Sequence, residues 1–419
     1  MKDLRTFIII GIIAAVLIVL ALSLERFQVE RAAEDKTGRL SVAVYDLVST
    51  IKGDAATSRA FTWYTGDQGA DGWLEVEKGE AADFTGDGVI RVQAVHTTIK
   101  TDQGTRGVHK AEITGLEPGT LYTYRVGSGE EGEWSLSYEF HTAELDSGQV
   151  TFINVTDSQG IVDGDFAIWG NTLEQAFKTF PAAKFTLHNG DLTEEPTDSG
   201  AWNSFFGYVQ NRVASVPLMP VTGNHEEING DAELFTSHFN LPDNGAKGSI
   251  EGTSYSFDYG PVHVTVLNTE SNLKKQADWL KQDLAGTDKP WTIIAMHRPA
   301  YGGNMYSKVG DWTEIFDKYN VDLVLQGHNH EYSRSYPLRA GKIVSEGERQ
   351  TGATGGTVYV VTNASGVKFN EKKEDQFYHK VHFQNNQPMF AGIMVSGDTL
   401  TYQAYDTNGK KLDEFVLTH

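Results

Sequence analysis

Five apolar runs beyond the first third of the chain each stop at a cluster of Asp, Asn, Gly and His residues. They are Phe152 to Asp157, Phe185 to Asp191, Pro220 to Glu226, Thr292 to His297 and Val324 to His330. Between them lie segments with apolar residues at helical spacing: Leu173, Ala176, Phe177 and Phe180; Trp202, Phe205, Phe206, Val209 and Val213; Gln276 to Leu284; and Trp312 to Tyr319. Strand-like runs alternating with amphipathic helices predict an α/β layer structure from Gln149 onward. Ligands in such folds bind beyond the carboxyl ends of the strands, where the five polar clusters fall. Four further strands, Thr357 to Thr362, Met389 to Val395, Leu400 to Tyr405 and Glu414 to Leu417, are expected to complete the second sheet of that domain.

The first third of the chain has a different pattern. Short runs of β-branched and aromatic residues in near alternation occupy Leu40 to Leu47, Arg59 to Thr65, Val89 to Ile99, Val108 to Ile113, Tyr122 to Val126 and Tyr138 to Thr142. Turn residues separate them, which predicts a β-sandwich. Asp83 to Gly88 superficially suits a calcium loop, but the twelfth position from Asp83 is Ala94, where a bidentate acid is needed, so a hairpin turn is predicted. Ahead of the sandwich, Thr6 to Leu24 is uncharged and apolar, and as a helix it reaches roughly 28 Å, enough to span a bilayer core. It reads as a transmembrane signal anchor over residues 6–24, followed by a stalk over 25–38. The alternative is a cleaved signal peptide and a secreted product. The charged start, Lys2 and Arg5, places the remainder outside the cytoplasm as a single-pass protein of the cell membrane.

Composition narrows the chemistry. The 419 residues carry a formal net charge of -21, which opposes a nucleic-acid partner. The absence of cysteine excludes disulfides and thiolate metal sites, so any metal must be held by Asp, Asn, Gln, Glu or His. Within Gly327-His328-Asn329-His330, extended backbone would turn both imidazoles to one side. His188 and His263 lie inside strand patterns, away from the polar clusters, and are expected to be packed or supporting residues.

The ordered set Asp157, Gly190-Asp191, Gly223-Asn224-His225-Glu226, His297 and Gly327 to His330 resembles the calcineurin-like metallophosphoesterases. Tyr255 to Gly260, Gln276 to Leu280, His297-Arg298-Pro299-Ala300-Tyr301, and Tyr332, Arg334, Tyr336 and Pro337 after His330 resemble the purple acid phosphatase branch. Leu116 to Tyr124 resembles the tyrosine-corner segment of fibronectin type III domains, with Tyr122 as the corner residue. The resemblance runs from about Arg39 to the C-terminus. It implies a purple acid phosphatase N-terminal, fibronectin type III-like domain over 39–144. Behind it a four-layer α/β/β/α metallophosphoesterase sandwich would occupy 149–419, with its motif core at 151–337.

The resemblance also implies roles. Two divalent or trivalent metal ions, iron, manganese or zinc, would share Asp191. Asp157 and His330 would bind the first, and Asn224, His297 and His328 the second. A hydroxide held between the ions would attack the phosphorus of a small phosphate ester, with His225 as general acid and Glu226 orienting its ring. The purple members' iron-bound tyrosine would fall at Glu194, and another branch's histidine at Gln159. Gln159 is the preferred extra ligand of the first ion, with Glu194 as the alternative. Arg298 is expected to brace the loop after His297 rather than touch phosphate. The activity implied is a membrane-tethered, acid phosphatase-like phosphomonoesterase. The alternatives are a phosphodiesterase of the same fold and a non-catalytic cell-surface binding protein on a phosphoesterase scaffold.

Overall fold

The computed structural model describes residues 44–66, 71–80, 82–347 and 355–419. The expected anchor over 6–24, the stalk over 25–38 and the first residues of the strand predicted from Leu40 lie outside them. Among the described residues no helix is long and apolar enough to cross a membrane.

The first part of the chain forms two four-stranded antiparallel sheets. One has the order Val44–Thr50, Ser58–Thr65, Gly104–Thr114, Val95–Thr101, and the other the order Ile90–Gln93, Trp73–Lys78, Leu121–Gly127, Tyr138–His141. Phe61, Trp63, Ala111 and Ile113 of the first sheet pack against Leu74, Val76, Tyr124, Val126 and Phe140 of the second, which is a sandwich core. The run predicted from Val89 to Ile99 is two strands in different sheets, because the chain crosses between layers at the buried Ala94. Trp73–Lys78 was not among the predicted strands, although its core residues Leu74 and Val76 alternate with Glu75 and Glu77; Glu75 lies buried and pairs with Arg91 and Arg125. Asp83 to Gly88 joins the antiparallel strands Trp73–Lys78 and Ile90–Gln93, the hairpin connection expected. The Tyr122 hydroxyl accepts the backbone N–H of Glu117 at 2.9 Å, tying the corner before its strand to the preceding turn.

The remainder is built on two stacked sheets. The first has the order Leu218–Pro220, Thr186–His188, Gln149–Val155, Met389–Ser396, Thr399–Asp406, Lys411–Thr418. The second has the order Tyr255–Tyr259, Val262–Leu267, Trp291–Met296, Leu323–Gln326, Val358–Thr362, Tyr332–Ser335, His379–Phe383. The parallel strands of the second sheet are continuous apolar runs because both faces are covered. Ile293, Ala295, Leu323 and Leu325 join the core shared with the first sheet. Ile294, Met296 and Val324 pack under the helices Leu273–Gly286 and Gly310–Tyr319.

The helices Asp163–Thr179 and Ser199–Gly207 contribute Phe166, Trp169, Leu173, Trp202 and Phe205 to the shared core. The single helical stripe read from Trp202 to Val213 is two helices, Ser199–Gly207 and Gln210–Ser215. Asp198 starts the first by accepting the N–H groups of Gly200 and Ala201.

The C-terminal strands correct one expectation. Of the four strands expected there, only Val358–Thr362 enters the second sheet. Met389–Ser396 instead pairs antiparallel with Gln149–Val155, Ala391 opposite Asn154, so the last three strands complete the first sheet. Hydrophobic pattern sets which faces of a strand are buried but not which edge it joins.

The two parts pack against each other. Ala214 enters the sandwich core and its carbonyl accepts the Tyr124 hydroxyl at 2.7 Å, while Lys110 Nζ donates to the carbonyls of Thr236 and Phe239.

Candidate metal centre

Five parallel strands of the two sheets end at one place. Asp157 follows Gln149–Val155, Asp191 follows Thr186–His188, Asn224 follows Leu218–Pro220, His297 follows Trp291–Met296 and His328 follows Leu323–Gln326. The structure gathers the six expected ligands into two groups sharing Asp191. Asp157, Asp191 and His330 offer ligand atoms within 4.8 Å of one another, as do Asp191, His297 and His328. Asn224 Oδ1 lies 3.3 Å from His297 Nε2, beside the second group.

The loops carrying these residues approach closely, which explains their glycines. A Cβ on Gly223 would sit 2.1 Å from Asp191 Oδ1, and one on Gly327 would sit 2.2 Å from Thr156 Oγ1 and 2.9 Å from Asp157 Oδ2. The backbone is strained as well: Asp157, Asp191, His328 and His330 all have left-handed φ, at 53°, 54°, 72° and 51°. Such conformations cost about 1–3 kcal/mol each and persist where surrounding structure enforces them. They also correct the expectation of extended backbone at His328 and His330. The segment turns instead, and the turn sends the two rings to different groups.

The histidine tautomers are set from behind. His330 Nδ1–H donates to Lys368 O at 2.8 Å, and His297 Nδ1–H donates to Asn189 O at 2.8 Å. Each ring therefore presents Nε2 to a carboxylate, His330 to Asp157 Oδ1 at 3.1 Å and His297 to Asp191 Oδ2 at 3.1 Å. Two acceptors facing each other in a buried site require positive charge between them. The titration directions agree. Burial opposes a charge on His297, but Asp191 and Asp157 outweigh it and raise the ring to about 10. Burial, His297 and Arg298 push His328 down to about 3. Burial opposes charge on Asp191 too, yet His297 and His225 hold it below the usual carboxylate range. The donor set fits metal ions: carboxylate, amide and imidazole groups with second partners holding their orientation.

His225 is 23% exposed at the edge of this centre, with Nε2 3.9 Å from both Asp191 Oδ2 and Glu194 Oε2. Its ring is oriented by Nδ1–H donating to Glu194 O at 2.7 Å, not by Glu226 as expected. Glu226 is buried and turned the other way. Its carboxylate accepts the N–H groups of Asp191, Leu192 and Gly223 at 2.9, 2.6 and 2.8 Å, so it shapes the Asp191 loop. Burial and the nearby Asp191 carboxylate push Glu226 up to about 8, against those backbone donors.

The two candidates for an extra first-group ligand also separate. Gln159 is buried, its amide nitrogen 3.5 Å from Asp191 Oδ2 and 3.4 Å from His330 Nε2, and its Oε1 has no hydrogen-bond partner. Exchanging the amide's O and N would turn that unpaired oxygen to the same place. Glu194 is engaged by Lys368, whose Nζ is 2.9 Å from both carboxylate oxygens. Lys368 carried no signal in the sequence. It lies on a strap after Val358–Thr362, where Gly366 N–H donates to Asp157 O and Asn370 N–H to His330 O. Arg298 forms a forked contact with Glu270 and reaches His328 Nε2 at 3.0 Å, a bracing role near the one expected. His188 and His263 are buried and lie in neither group.

Comparison with known proteins follows the same division. Residues 150–332 match the family described as Calcineurin-like phosphoesterase, and residues 46–142 match the Purple acid Phosphatase, N-terminal domain. Acid phosphatase type 7 of Mus musculus is 27% identical over 295 residues, covering 62% of this chain and 64% of the relative. Purple acid phosphatase 15 of Arabidopsis thaliana is 29% identical over 275 residues, covering 54% of this chain and 49% of the relative. The chain thus spans between about half and just under two thirds of the length of these relatives. A purple acid phosphatase from yellow lupin seeds superposes with a TM-score of 0.78 at 19% identity, covering 90% of this chain and 74% of the other, so the two share a fold. The chain thus carries a calcineurin-like phosphoesterase region over residues 150–332, behind a region over residues 46–142 that matches the purple acid phosphatase N-terminal domain.

Proposed function

We propose that this protein is a phosphate-ester hydrolase of the acid phosphatase type, working with two metal ions on small phosphomonoesters. The observation that carries the reading is Asp191, a buried carboxylate shared by two ligand groups. Asp157, His330 and, through its unpaired Oε1, Gln159 would hold the first ion, and Asn224, His297 and His328 the second, with iron, manganese or zinc all suited to such ligands. Two ions so placed supply Lewis acidity to phosphate oxygens and acidify a water. The chain's own residues do the rest. The Asp191 and Asp157 loops fix the ligands from buried strand ends. His225, locked through Nδ1 by the Glu194 carbonyl, holds Nε2 towards the centre, where it can deliver a proton to the departing oxygen. The names of the mouse acid phosphatase and the Arabidopsis purple acid phosphatase support the substrate class.

We further propose a domain identity and a membrane placement. The first domain, 39–144, is a fibronectin type III-like sandwich that packs on the catalytic domain of 149–419. Residues 6–24 anchor the chain in the cell membrane with both domains outside the cytoplasm.

The test uses the full chain in detergent, supplied with manganese, zinc or iron, and compares an aryl phosphomonoester with an aryl phosphodiester. Metal-dependent turnover of the monoester, reduced on the order of 10²–10⁴-fold in His225→Ala with its metal retained, is the expected result. Preference for the diester would make it a phosphodiesterase. No turnover of either ester with any of the three metals would sink the reading and leave the non-catalytic alternative.

A further inference from the structure

A second histidine cluster lies outside the paired centre, on the strand His379–Phe383 and the turn before it. Asp375, His379 and His382 each offer one ligand atom, and these atoms lie within 4.8 Å of one another. Residues three apart on a regular strand point to opposite faces. Here the register against Tyr332–Ser335 slips between Arg334 and Ser335, so that Ser335 faces His379. That bulge lets both rings share one side, their centroids 3.9 Å apart.

Each ring has an acceptor behind it. His379 Nε2–H donates to Gly302 O at 2.8 Å, which leaves Nδ1 as the lone-pair nitrogen. His382 Nε2 lies 3.2 Å from Oε2 of the wholly buried Glu331, and its Nδ1 lies 2.8 Å from Asp375 Oδ1. A carbonyl or buried carboxylate behind the ring and a lone pair in front is how proteins orient metal-binding histidines. His382 is well placed for this, with its side chain only 2% exposed.

We propose that Asp375 Oδ1, His379 Nδ1 and His382 Nδ1 bind a third metal ion, a divalent ion of the zinc class, at the rim of the paired centre. Two imidazoles and one carboxylate, with water as the fourth ligand, suit that ion. Three present contacts must yield to it: Lys372 Nζ, 2.5 Å from Asp375 Oδ1, the Gln376 N–H, 3.0 Å from His379 Nδ1, and the hydrogen bond between His382 Nδ1 and Asp375 Oδ1, whose proton the ion replaces. The rim ion is accordingly held more weakly than the paired ions. Its partners reach the centre from two sides, since Gly302 lies on the loop after His297 and Glu331 follows His330, so the ion braces both.

The test is equilibrium dialysis of the full chain against zinc, with metal counted per chain, for wild type, Asp375→Asn and His379→Gln. Asp375 is largely exposed, so its variant keeps the fold. The wild type is expected to hold one zinc more than either variant, with at least a tenfold weaker affinity for that ion in Asp375→Asn. A chain carrying His328→Ala and His330→Ala, emptied of the paired centre, is expected to retain one zinc that Asp375→Asn removes. That arm separates the rim site from the phosphoesterase reading. Equal zinc in wild type and both rim variants would overturn the proposal and leave His382 packed between Glu331 and Asp375.

Discussion

Lys368 Nζ sits 2.9 Å from both carboxylate oxygens of Glu194, closing the centre on the side of Asp157 and His330. The pair joins a residue of the Asp191 loop to the strap that holds His330. Both side chains are partly exposed, at 44% and 23%, so the bond contributes under about 1 kcal/mol to stability. Its electrostatic role is larger, because a lysine near the centre of a chain with net charge -21 would draw in the anionic ester proposed as substrate. Lys368→Met is expected to lower kcat/KM several-fold, with a weaker salt dependence and an unchanged urea midpoint. Unchanged kcat/KM at low salt would remove Lys368 from substrate capture.

Glu226 collects four backbone N–H groups around the Asp191 loop while buried, that of Thr193 at the longest distance. Glu226→Gln replaces one acceptor oxygen by an NH₂ that must face a backbone donor. Loss of roughly 2–4 kcal/mol is expected, together with reduced metal retention, since the same loop positions the shared ligand. Urea denaturation and metal content check this. A change below about 0.5 kcal/mol would mean that the loop holds itself.

Gly327 has Thr156 Oγ1 and Asp157 Oδ2 where a Cβ would go. Gly327→Ala therefore has to push Asp157 away from His330, and metal content should fall while the far sandwich is undisturbed. Wild-type metal content in this variant would show that the strap absorbs the shift.

His263 supplies a pH dependence unconnected with the metal centre. Burial opposes its charge, but hydrogen bonds with Asp258 at 2.7 Å and Asp283 at 3.0 Å outweigh this and raise it to about 9. A folded-state value above the unfolded one stabilises fully below the unfolded pKa, near 6.5, and the contribution is lost as pH rises through 9. Asp258 is half exposed, so the contribution is discounted to roughly 2 kcal/mol. Stability of wild type over His263→Gln should be greatest at pH 6 and shrink by pH 9.5. The same gap at both values would exclude a charged His263.

Much of the centre is legible in the residue pattern, because each ligand closes an apolar run, and a run that stops at Asp or His announces both a strand and its polar end. Asp157, Asp191, Asn224, His297, His328 and His330 can be named this way, and they meet. The supporting residues have no such signal. Lys368 sits 38 residues past His330 in an unremarkable polar stretch, and Glu194 differs from other surface acids only in where the strap passes.

By itself, then, the sequence determined the alternation of strands and helices, the identity of the candidate ligands and the want of any thiolate chemistry, since these depend on residue type and local spacing. Tertiary structure alone decided that Met389–Ser396 joins Gln149–Val155, that His328 and His330 part company through left-handed backbone, that Glu226 serves a loop rather than His225, and that Asp375 meets His379 and His382. Each depends on contacts between distant segments. Their partners are chosen by packing and by the satisfaction of buried polar groups, which local pattern does not encode.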